Sequence, residues 1–170
     1  LFENNLIRKF IPNNKYDEII KTAVINHNRA HIEDGLDKKS LLFSQIIRDA
    51  DKIDILKTIT LPETDLKGIF WYEDFDIAKI NENLIEDLKT IKYIYYSKIQ
   101  NNADQILIFY GYIFNFNFPT SLEIISRNKY LDLFTKRLYI QFKSKQIHTQ
   151  LEEILQICND YIGTQNPCKI

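Results

Sequence analysis

The chain has 170 residues, 45% of them hydrophobic, which is enough apolar surface for one self-supporting core without disulfide or metal staples. Its 22 Lys and Arg against 23 Asp and Glu leave a net charge of -1, so no global basic field exists to attract nucleic acid or an anionic membrane. The strongest apolar run, Ile106 to Phe114, contains Gly111 and falls far short of the roughly 20 residues a membrane span needs.

No signal peptide is visible, and the two cysteines, Cys158 and Cys168, have no zinc-finger spacing, which predicts a reduced, cytoplasmic compartment. Only four Gly and four Pro punctuate the chain, and the segments between them carry a period near 3.6, so the expected class is all-α, a compact multi-helix bundle. Leu1 to Phe10 reads as the end of a helix stopped by Pro12-Asn13-Asn14, and the next helix runs from about Tyr16 to His27. Leu36 to Leu56 follows, with Asp37 or Ser40 as its cap. Thr58 to Asp74, broken by Pro62 and Gly68, is irregular, and Asp74 or Asp76 then caps a helix to about Leu88. Lys92 to Ile99, rich in Tyr and Ile, suits either a strand or an extended packing segment. Asn102 to Phe114 forms a strongly apolar helix, Thr120 with Glu123 spells a capping box for a short one, and Lys129 to Phe142 and Ser144 to Ile162 complete the set. No repeat or linker-like shift in composition divides residues 1–170, which predicts one helical domain.

Two segments carry polar chemistry inside apolar periodicity. In the Tyr16 helix His27 continues the series Ile19, Ile20, Ala23 and Val24 and is expected to face inward, as a core or capping histidine or as a metal ligand. In the next helix Leu42, Phe43, Ile46, Ala50 and Ile53 form one stripe, with Asp54 inside it and Asp51 on its margin. Arg48 and Asp49 fall on the opposite, solvated side, where pairs such as Arg48 with Asp51 or Lys52 with Asp49 are worth at most about 1 kcal/mol. A carboxylate placed like Asp54 needs compensation, because burying it unpaired costs several kcal/mol.

The segment Asn26-His27-Asn28, with Ala50-Asp51-Lys52 in Ile46 to Asp54 and Asp51 placed 24 positions after His27, resembles the HD-domain metal-dependent phosphohydrolases. Leu1 to Leu6 resembles the preceding helix of small bacterial members. The resemblance implies an all-helical fold, with Asp51 as the closing Asp of the metal site and His27 as one of the later histidines. The first His and the His-Asp pair of that pattern do not occur in this sequence, and no His precedes His27. The chain starts at Leu1 and contains no Met, so it is expected to be the C-terminal portion of such a domain, or a sequence from which methionines were dropped.

A mixed His and carboxylate site implies a divalent metal, Mn, Fe, Zn, Ni or Mg, acting on a small phosphate-containing substrate such as a nucleotide. Asp54 would orient a ligand or base, while Arg48, Lys52 or Arg29 would neutralise phosphate. The alternative is a non-catalytic ligand-sensing or interaction module that keeps the scaffold without a complete metal site. His31 and His148 are expected at the surface and Asp104 at a helix dipole, while the aromatic run from Phe109 to Phe118 reads as core.

Overall fold

The computed structural model describes residues 2 and 4–165. Leu1 and Glu3 of the first expected helix lie outside them, as does Cys168. The described residues form seven α-helices joined by loops and short 3-10 turns, with no strand among them. The chain divides into two compact units, Leu1–Asp51 and Lys52–Ile170.

In the first unit a 3-10 turn, Leu6–Lys9, precedes α1 (Asp17–Asn26). Arg8 ties the turn to the helix start by pairing with Asp17 and donating to the carbonyls of Ile11 and Asn13. The 21-residue α2 (Lys38–Thr58) begins here. Asp37 is its cap, accepting from the amides of Lys39 and Ser40 at 2.9 and 3.2 Å. The Ser40 hydroxyl bond, followed by the Ser40 and Lys39 amides, holds the Asp37 carboxyl below its ordinary value.

Over most of its length the orientation of α2 is the reverse of the expected one, although Ile53 of the expected stripe packs against the core. Its inward side carries Ser40, Ser44, Arg48, Asp49, Lys52 and Leu56, while Leu42, Phe43 and Ile46 are 42 to 45% exposed. Ala50 and Asp54 are exposed as well. The polar groups tolerate burial because they are satisfied: Ser44 Oγ donates to the Ser40 carbonyl at 2.8 Å, Arg48 binds three carbonyls, and Lys52 Nζ donates to the Asn115 carbonyl at 3.1 Å. Val24, expected inside, is likewise exposed.

In the second unit α4 (Asn102–Gly111) is buried along its whole length and packs against α3 (Glu82–Thr90) and α7 (Lys145–Gln165). The remaining helices, α5 (Pro119–Arg127) and α6 (Tyr130–Gln141), pack on each other and on α7. On α7 the buried residues Ile147, Leu151, Ile154, Cys158 and Ile162 recur at helical spacing. Two local expectations are corrected, and one left open between two forms is decided. Asp74 caps no helix; it closes an Asx turn onto the Asp76 amide, and α3 starts eight residues later under the Asn81 side chain. Lys92 to Ile99 is no strand, because Lys92 turns left-handed at φ 55° and Tyr96–Lys98 forms a 3-10 turn. The Thr120 capping box is not made, since the helix already begins at Pro119.

Candidate metal centre at His27 and Asp51

His27 stands immediately after the last residue of α1 and is half-buried. Its Nδ1 lies 2.5 Å from the Val24 carbonyl, and because a carbonyl only accepts, Nδ1 carries the proton. Nε2 has no hydrogen bond among the described residues, and an Nδ1–H bonded to a backbone carbonyl is an arrangement that metal-binding histidines commonly adopt.

Two buried side chains hold the turn that follows. Asn26 donates from Nδ2 to the Thr22 carbonyl and accepts from the Glu33 amide, both at 2.9 Å, bridging the ends of the 27–33 loop. From α2, Arg48 reaches the carbonyls of Asn26 at 3.1 Å, Arg29 at 2.5 Å and Ala30 at 3.0 Å. A guanidinium suits this task because its fixed fork of donors serves several acceptors at once. Arg48 is only 6% exposed, so it is neither the expected surface charge nor a guanidinium displayed toward a phosphate.

Asp51 lies three residues beyond Arg48, one turn further along α2, and is half-buried. Its carboxylate has no hydrogen bond or ion pair among the described residues. The His27 turn is thus fastened to the helix that presents Asp51, through an arginine one turn before it. Both candidate ligands belong to the first unit.

The other expected site residues have positions of their own. Lys52 is 8% exposed and donates to the Asn115 carbonyl. Arg29 is exposed and pairs with Glu33. Asp54 is exposed and borders a cavity of the second unit. Among the described residues no group of three or more His, Cys, Asp and Glu is placed to hold a metal ion.

Asn26 is the residue that sequence reasoning missed, and Arg48, expected to neutralise phosphate, has instead a tethering role that was not foreseen. The available signal was a charged residue at four-residue spacing with Ser40, Ser44 and Lys52, a row that reads as solvated until its acceptors are known. Asp104 lies in the first turn of α4 as expected, and it is in addition fully buried and accepts from the amides of Asn81 at 2.9 Å and Gln100 at 3.2 Å. His148 is half-buried, bonded through Nε2 to the Phe142 carbonyl and packed on Tyr139, whereas His31 is exposed as expected.

Comparison with known proteins found no family model, no curated protein and no solved structure that matches the chain.

Proposed function

We propose that His27 and Asp51 belong to the metal centre of an HD-type phosphohydrolase that cleaves a phosphate ester of a nucleotide or another small metabolite. The supporting observation is the Arg48 tether, which fastens a histidine of defined tautomer to the helix bearing an unpaired, half-buried aspartate. Two donors of suitable chemistry are present, and the reading requires the first His and the His-Asp pair to lie N-terminal to residue 1. A bound divalent ion supplies hydroxide at neutral pH by lowering the pKa of its water toward about 7. In this reading Asp51 and His27 bind, and Arg48 positions the His27 turn.

The second reading, a helical sensing or interaction module without a metal, is favoured by the lack of a third ligand among the described residues. The natural polypeptide decides between them. It should retain Mn after equilibrium dialysis and hydrolyse at least one phosphomonoester or nucleotide, and Asp51→Ala should abolish both while leaving the far-UV circular dichroism unchanged. Metal-free protein, inactive with Mn, Fe, Zn, Ni and Mg alike, overturns the phosphohydrolase reading.

A further inference from the structure

The segment Ile69 to Asp74 has no helix or strand, yet its backbone is pinned by two amides of α4 that are themselves 2% exposed or less. Gln105 donates to the Ile69 carbonyl at 3.2 Å and accepts from the Trp71 amide at 2.8 Å. Asn102 donates to the carbonyls of Tyr72 and Asp74 at 2.7 and 2.9 Å and accepts from the Tyr72 amide at 3.0 Å. The segment so fixed holds Trp71 with 53% of its surface in water. Tyr96, 58% exposed, stands against it at 5.9 Å between ring centroids and 76° between planes, giving two aromatic walls nearly at right angles.

These walls border a cavity of about 460 Å³, floored by Ile59, Phe109 and Tyr112 and edged by Asp54 and Thr58 of α2. That volume suits a small molecule. No Lys, Arg or His lines it, so the Asp54 carboxylate is the one charge at the cavity, and it has no partner among the described residues. Gln105 also lines the cavity, but its amide is committed at both ends to the segment above. An anion finds nothing here to neutralise it. A cation with an apolar body meets ring faces, which attract positive charge through their quadrupoles, and an unpaired carboxylate.

We propose that this cavity binds a small organic cation, an alkylated ammonium group seated against the rings of Trp71 and Tyr96 with Asp54 as its counter-ion. The site lies wholly within the second unit and is independent of the phosphohydrolase reading.

Trp71 is the only tryptophan in the chain, so its fluorescence reports directly on the site. Titration with choline at constant ionic strength should change that fluorescence saturably, with half-saturation on the order of millimolar. The neutral isostere 3,3-dimethylbutan-1-ol should give no saturable change over the same range. Asp54→Asn and, separately, Tyr96→Leu should each raise the half-saturation concentration about tenfold with unchanged far-UV circular dichroism. The proposal is overturned if choline produces no saturable change, if the isostere binds equally well, or if Asp54→Asn titrates like the native protein.

Discussion

Arg48 gathers the carbonyls of Asn26, Arg29 and Ala30 onto α2, so removing it strands three acceptors, of which the Asn26 carbonyl is buried. Arg48→Met should destabilise the protein by about 2–4 kcal/mol in urea denaturation. Arg48→Lys should recover only part of that loss, because an ammonium cannot present the same planar fork. A native midpoint in Arg48→Met would show that the tether carries no stability. His27 stood out by its place in the helical period and Asp51 by its place at the margin of the α2 stripe, whereas their joint role as ligands is what the resemblance to the HD-domain phosphohydrolases implies. The buried, tethering role of Arg48 was not legible, because helical periodicity assigns charge to water, and only the three-dimensional position of main-chain acceptors reverses that assignment. Cys158 was legible only as one of two cysteines without metal-site spacing; its complete burial pushes the thiol pKa up and removes it from thiolate chemistry.

At the scale of elements, α4 shows both the strength and the limit of pattern reading. Its apolar run from Ile106 to Tyr110 predicts burial, and every residue is buried. Its start, Asn102, Asp104 and Gln105, looks like an ordinary polar first turn but serves neighbouring backbone at Tyr72, Asn81 and Trp71. Gly111 closes the helix with ordinary helical dihedrals, φ -61° and ψ -21°. A Cβ there would sit 3.7 Å from Ile94 and 3.8 Å from Leu88, which is normal van der Waals contact. Gly111→Ala should therefore stabilise the protein by about 0.4–1 kcal/mol, mostly by restricting the unfolded chain, and raise the thermal midpoint. A lowered midpoint would mean that the α3–α4 region cannot accept the methyl group. The reversed face of α2 was illegible for the reason that governs Arg48, whereas the Asp37 cap was read correctly because its amide partners are only two and three residues away.

Over the whole molecule the two units differ sharply in what they bury. Ile7 and Ala23 are the buried hydrophobic residues of Leu1–Asp51 among those described, whereas the core of Lys52–Ile170 extends from Leu56 to Ile162. Local opening follows the density of buried apolar contacts, so amides of α1 should exchange with deuterium much faster than those of α4 and α7. Equal protection in mass-spectrometric exchange would show that the units unfold together. The all-helical class was legible throughout, since scarce Gly and Pro and long periodic segments leave little room for strands. The unequal division was not, because composition averages over a chain whose apolar residues are inside in one part and outside in another.

The buried Gln150 side chain of α7 meets both polar groups of the Ile80 backbone, accepting from its amide at 2.8 Å and donating to its carbonyl at 3.0 Å across a sequence separation of 70. A ribosome delivers Ile80 long before Gln150, at about 5–20 residues per second, so this peptide group stays bonded to water for several seconds of synthesis. The lead into α3 therefore closes only after Gln150 and its helix have left the ribosome, and the emergence of α7 sets the earliest moment at which this core is complete.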